Sequence, residues 1–166
     1  MNANRFRNMK LQEFLVESNA IEGEYDIESL WCAKEAWDFL QTKKTLTAAA
    51  ILEMHDILME NHLKRPNRGS WRRRPVYIGY REGLNWNRIP MAIDDWLFHA
   101  NISSDELAIK RDHVKYEHIH PFIDGNGRSG RIIMNWQRVK HGFKIETIKE
   151  KDKLEYYAWF NDGDPS

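Results

Sequence analysis

The sequence predicts an all-α domain carrying one short β-hairpin. Apolar residues recur at helical spacing through successive stretches, each bounded by Gly, Pro or a capping polar residue. One run, Val76-Tyr77-Ile78, favours extended backbone instead, and Pro75 before it suits the start of an edge strand. No βαβ pattern surrounds the glycine-rich turn near residue 125, which excludes a dinucleotide-binding fingerprint.

A first helix is predicted over residues 6–22, with a partial apolar stripe at Leu11, Phe14, Leu15 and Ile21 and with Gly23 as terminator. Residues 30–40 follow, with Trp31, Ala33, Trp37 and Leu40 near one another in period. A third helix spans 47–62, where Ile51, Leu52, His55, Leu58 and Met59 form a stripe. Residues 64–75 read as a loop by their Pro, Asn, Gly and Ser content. The fourth helix begins close to Pro90, a residue permitted in a first turn. Ser103 and Glu106, spaced as a capping box, announce the fifth, which runs toward Ile119 until Pro121 ends it. Ile132, Ile133, Trp136 and Val139 mark a sixth, stopped by Gly142, and a last segment covers 154–160 before a polar tail.

At 166 residues and 19.8 kDa the chain is sized for one domain over 1–166. It balances 25 basic against 25 acidic residues, so only the local run Arg72-Arg73-Arg74 speaks for nucleic acid, and no nucleic-acid partner is expected. Cys32 is the only cysteine, which rules out an internal disulfide and suits the cytoplasm. No apolar run reaches membrane-spanning length and the N-terminus lacks a signal-peptide core. The expected location is cytoplasmic, or another cell's cytoplasm reached without a recognisable signal peptide. Seven Trp, seven Phe and six Tyr supply core packing or a ring-stacking surface for a base.

The densest chemistry lies in His120-Pro-Phe-Ile-Asp-Gly-Asn-Gly-Arg-Ser-Gly-Arg131. Gly125, Asn126 and Gly127 make a tight turn at a helix N-terminus, where unpaired N–H groups and the helix dipole favour an anion. Arg128 and Arg131, three apart, share a helix face and suit a di- or triphosphate. Asp124 suits Mg²⁺, which takes one or two carboxylates together with substrate phosphates. His120 suits proton abstraction near neutral pH. His113, Glu117, His118 and His120 invite a zinc reading, but they form no complete ligand set with sensible geometry. His55 and His62 read as core-edge or surface histidines.

The run matches every specified position of the Fic (Fic/DOC) family signature, His-x-Phe-x-Asp/Glu-Gly-Asn-Gly-Arg-x-x-Arg, and so resembles a protein adenylyltransferase (AMPylator) that moves AMP from ATP to a Ser, Thr or Tyr hydroxyl. The resemblance implies a Fic-like helical fold with His120 as base and Asp124 as Mg²⁺ ligand. It implies Gly125, Asn126 and Gly127 as the anion hole, with Asn126 also close to the transferring phosphate, and Arg128 and Arg131 as phosphate clamps. Gly127, where Doc-type kinases carry Lys, favours AMP transfer over phosphate transfer. Residues 69–80 resemble the family's flap, with Val76, Tyr77 and Ile78 registering the target segment by strand addition.

Ser18-Asn-Ala-Ile-Glu22-Gly23, within segment 11–23, resembles the family's inhibitory motif. The resemblance implies that Glu22 pairs with Arg131 and bars the γ-phosphate, so that no separate antitoxin is required. Two alternatives stay open at this point: removal of AMP from a modified protein with Glu22 positioning water, and a non-catalytic nucleotide-dependent binding module. Homo-oligomerisation is equally open.

Overall fold

The computed structural model describes residues 3–161, with side chains from residue 8 onward; the polar tail falls mostly outside them. Seven α-helices and one two-stranded hairpin make up the described chain. Helix α1 covers Ala3–Ile21, α2 Ile27–Gln41, α3 Ala48–Leu58, α4 Ile89–Ile102, α5 Glu106–Ile119, α6 Asn126–Lys140 and α7 Lys153–Ala158. Between α3 and α4, strands β1 (Tyr77–Ile78) and β2 (Arg81–Glu82) pair antiparallel, Tyr77 opposite Glu82. The hairpin therefore extends two residues beyond the 69–80 range, whose first part is loop.

Local chemistry explains the boundaries. Asp26, Thr47 and Asp105 each accept a backbone N–H three residues on, at 2.8, 3.1 and 2.9 Å, and such a cap contributes about 1 kcal/mol. The fifth helix is thus capped by Asp105, whereas Ser103 closes α4 by bonding His99. An Asp next to the helix start outcompetes a Ser two residues earlier because its oxygen reaches the first free amides. Gly23 terminates α1 in the left-handed region at φ 77°. Pro90 sits in the first turn of α4, and a turn of 3-10 helix over Trp86–Arg88 leads into it.

Helix α6 is the centre of the molecule. It packs along α5 and also meets α1, α2 and α3, while α2 lies against α3 and α4 against α5. Ile132, Ile133 and Trp136 are buried in the main core with Phe14, Leu40, Ile51, Met54 and Phe122. Each such side chain contributes roughly 1.5–3 kcal/mol on leaving water. Trp31 departs from its expected stripe: it is 67% exposed, because it lies roughly 200° around the helix from Ala33. The buried face of α2 is instead Ser29, Cys32, Ala33, Ala36, Trp37 and Leu40. Val139, at the end of the α6 stripe, is likewise exposed.

Candidate active site

His120 is where α5 stops. Its backbone adopts φ 50°, the one non-glycine left-handed residue among those described, a conformation that stores strain and recurs at functional sites. The carbonyl of Glu117 can only accept, so at 3.2 Å it takes the proton of His120 Nδ1 and leaves Nε2 unprotonated. Burial, more than any charge nearby, pushes His120 below the ordinary histidine value. It is therefore a neutral imidazole with a free Nε2, the form a general base needs.

The turn after it is wired shut. Asn126 accepts Phe122 N–H at 2.8 Å through Oδ1 and donates to Phe122 O at 2.9 Å through Nδ2. Its side chain is thereby occupied, and what it offers an anion is its backbone N–H at the start of α6. Gly125, at φ 80°, caps that helix, and a Cβ there would sit 2.5 Å from Met59 Sδ. At Gly127 a Cβ would collide with Glu22 Oε1 and lie 2.8 Å from Arg131 Nη1. Asp124 points outward, its side chain 59% exposed; Oδ1 accepts Gly125 N–H at 2.7 Å and stands 3.8 Å from Arg128 Nη2. Arg128 itself is buried, with Nε lacking a partner among the described residues.

Arg131 is the most enclosed charge, 1% exposed. Its Nε donates to Ser18 Oγ at 2.9 Å, Nη2 to Ser18 O at 2.9 Å and to Glu22 Oε1 at 2.7 Å, and Nη1 to Tyr156 Oη at 3.3 Å. Burial works against its charge, but Tyr156, Glu22 and Glu117 hold the guanidinium above its ordinary value. Ser18 belongs to α1, and Glu22 and Gly23 follow directly where that helix ends. Glu22, Gly127, His120, Arg131 and Ile78 of β1 border one cavity of about 150 Å³, whose far wall is Tyr156, Tyr157 and Phe160. Of the flap residues, Tyr77 is 71% exposed while Val76 and Ile78 are half-buried.

Three contributors carry no signal in the motif. His55 is fully buried, not at the edge; it stacks on Phe122 at 3.6 Å, accepts Gly69 N–H at Nδ1 (3.0 Å) and donates from Nε2 to Asp124 O (2.9 Å). Burial pushes it down to about 4, which suits a neutral ring with one donor and one acceptor. His62, by contrast, is half-buried and bonds Ser29 Oγ at 2.8 Å. Arg72 is also buried, and its guanidinium donates to His120 O at 2.7 Å, Leu84 O at 2.6 Å, Arg74 O at 3.0 Å and Ile119 O at 3.4 Å. Of the three consecutive arginines it is therefore a strut between flap and base, while Arg73 and Arg74 are exposed. Tyr156 joins Arg131 to His113 Nε2, 2.8 Å from its hydroxyl. Only the helical reading of the last segment hinted at it.

Among the described residues no group of three His, Cys, Asp or Glu side chains could hold a metal by itself. Asp124 nevertheless fits Mg²⁺: its carboxylate is open to solvent beside the anion-favouring end of α6, and that ion needs few protein ligands when phosphates supply the rest. No helix among the described residues is long and apolar enough to cross a membrane.

Comparison with known proteins places these observations. The pattern of the Fic/DOC family matches residues 45–137, which include the whole 120–131 loop and stop short of the Ser18–Gly23 segment. The protein adenylyltransferase Fic of Drosophila willistoni is 31% identical over 134 residues, 75% of this chain and 26% of that protein. That of Drosophila erecta is 32% identical over 142 residues, 75% of this chain and 27% of that protein. The chain thus spans about a quarter of the length of these relatives. A Fic domain-containing signaling protein from Bacteroides thetaiotaomicron superposes with a TM-score of 0.82 at 19% identity, over 93% of this chain and 72% of that one. Fic-1 from C. elegans gives 0.78 at 21% identity, over 95% and 57%. These two share the fold.

Proposed function

The chain belongs to the Fic/DOC family, and on that premise we propose that it is a protein adenylyltransferase moving AMP from ATP to a Ser, Thr or Tyr hydroxyl of a target protein. The observation that carries this reading is His120: a neutral imidazole, its Nδ1 proton held by Glu117 O, borders the same cavity as Gly127 and Arg131. The relatives in Drosophila bear the name protein adenylyltransferase, which supports the same chemistry.

In this mechanism the target hydroxyl gives its proton to His120 Nε2 as its oxygen bonds to the α-phosphorus of ATP. The bond from that phosphorus to the bridging oxygen breaks, and pyrophosphate leaves. The backbone N–H groups of Asn126 and Gly127 and the α6 dipole stabilise charge at the transferring phosphorus, joined by that of Gly125 once Asp124 turns from it toward the metal, while Arg128 and Arg131 hold the outer phosphates. Asp124 would hold Mg²⁺, which when bound supplies positive charge to the phosphates. The ring of Tyr157, 40% exposed on the cavity wall, gives a planar base a surface to stack on. Val76, Tyr77 and Ile78 offer a free strand edge that aligns the target backbone.

In the resting protein Glu22 occupies Arg131 as a carboxylate stand-in for phosphate, so the enzyme is self-inhibited and no antitoxin need be supplied in trans. Incubation with α-labelled ATP and a host extract tests both claims. Expected are weak labelling by wild type, strong labelling by Glu22→Gly and none by Glu22→Gly/His120→Ala; undiminished label in the double variant would remove His120 as base. A second reading, removal of AMP from a modified protein, is favoured by one observation: the Glu22 carboxylate, 35% exposed, borders the same cavity as His120 and could position water. AMP release that disappears in Glu22→Gly would select it. Nucleotide-sensitive partner binding with no covalent product in either direction would select a binding module instead.

A further inference from the structure

Glu117 lies outside the 120–131 run, on the last turn of α5, yet it borders the cavity shared by Glu22, His120, Gly127 and Arg131. The residue is 8% exposed, and Oε1 has no hydrogen-bond partner among the described residues. Buried polar atoms are almost always paired, so an orphan of this kind calls for an account. The space around it is tight: a Cβ on Gly130 of α6 would stand 2.5 Å from Glu117 Oε1.

The groups that face Glu117 come from every element around it. From α5, His113 Nε2 is 3.9 Å away, but it is engaged by Tyr156 Oη, and burial pushes that imidazole down to about 3, so it is no cation. From α6 there is Arg131, four of whose five N–H donors go to Ser18, Glu22 and Tyr156. Beyond the end of α1 stands Glu22, from α7 come Tyr156 and Tyr157, and His118 and His120 flank the same wall. Burial pushes Glu117 up to about 8; Arg131 pulls against that and Glu22 adds to it. At neutral pH the side chain is a carboxylic acid, and an acid carries an O–H donor that a carboxylate lacks.

We propose that Glu117 is a phosphate-binding residue, its neutral carboxyl donating a hydrogen bond to an oxygen of the phosphate seated on Arg131. The proposal rests on the nucleotide reading of this cavity. A phosphate entering in place of Glu22 brings at least as much negative charge as the carboxylate it displaces, so it keeps the proton on Glu117. The proton remains on the carboxyl throughout. Nucleotide binding then requires the protonated form, and affinity is linked to pH through a residue outside the 120–131 run.

The test measures the Kd of Mg-ATP from pH 7 to pH 9.5 in three proteins: Glu22→Gly, Glu22→Gly/Glu117→Gln and Glu22→Gly/Glu117→Ala. Gln keeps an N–H donor at this position and does not titrate. The Glu22→Gly protein should lose affinity as pH rises across this range, approaching about tenfold per pH unit at its alkaline end; the onset lies below the value of about 8 that Glu117 has with Glu22 present, because Glu22 adds to that upward push. The Gln variant should bind comparably at pH 7 and hold that affinity to pH 9.5, while Ala should bind about tenfold more weakly at pH 7. An equal alkaline loss in the Gln variant overturns the proposal, as does Ala binding as well as Gln. If Ala fails to fold, the contrast between Glu and Gln in pH profile still decides. Nucleotide binding with no alkaline loss refutes the role of Glu117 alone, whereas no nucleotide binding in any of the three refutes the reading of the cavity as well.

Discussion

Exchanging Glu22 for Gln and then for Gly should open the site in two measurable steps. The contact at stake is one charge-assisted hydrogen bond of 2.7 Å between a guanidinium 2% exposed and a carboxylate 35% exposed. Hydrogen bonds to charged groups contribute about 1.5–3 kcal/mol, and the half-open carboxylate is partly screened by water, which places this one near 2 kcal/mol. Gln preserves the shape and the acceptor but removes the charge, and a neutral bond is roughly half as strong. About 1 kcal/mol is then lost in Gln and about 2 kcal/mol in Gly, equivalent to roughly fivefold and thirtyfold tighter nucleotide binding. Calorimetric titration of Mg-ATP at pH 7.5 into wild type and both variants reads these ratios directly. Equal affinities in all three would mean that Glu22 does not compete with nucleotide, and a Gln variant matching wild type would mean that its charge is not what holds it.

Three other outcomes follow from groups that the structure places around the loop. Replacing Arg72 by Met strands carbonyls of His120, Leu84 and Arg74; a loss of about 3 kcal/mol is expected, or roughly 6–12 °C in thermal midpoint for a chain this size, and Lys, a single point donor, should not restore it. His55 charges more readily unfolded than folded, since burial pushes it down to about 4; its contribution is fully present above the unfolded value near 6.5 and is lost as pH falls toward 4, by roughly 3 kcal/mol. Urea midpoints between pH 7 and pH 4.5 should therefore fall in wild type and fall less in His55→Phe. His120, lowered by burial, should stay an active base below the ordinary histidine range, so the acid limb of the labelling rate in Glu22→Gly should have its midpoint under pH 6.5; a midpoint above that value contradicts the account of its environment.

The helices and the phosphate-side loop were legible because both are local. Period, caps and glycines act within a few residues, and α6 with its turn is read from a dozen neighbouring positions. The same locality misled at Trp31, grouped by period with Ala33 although it turns away from the face that Ala33 and Ala36 mark. It misled again at Ser103, two residues before the Asp105 cap. What sequence reasoning missed is non-local. His55 reaches Asp124 across 69 residues and Arg72 reaches His120 across 48, each through a backbone carbonyl that any residue type supplies. No pattern of side chains encodes such a partner. Glu117 and Tyr156 were hidden for a related reason: their roles come from what α6 brings between them.

Ser18 holds two edges of the Arg131 guanidinium from within α1, independently of Glu22. An arginine side chain surrenders about 2 kcal/mol of rotamer freedom when it is fixed, and here that loss is incurred as the chain folds, before any ligand arrives. The helix that leads to the Glu22 carboxylate is therefore also the jig that fixes the direction of the arginine. Deleting α1 and replacing Glu22 by Gly are not equivalent ways of opening the site. The first frees the arginine to wander; the second clears its face and leaves it aimed.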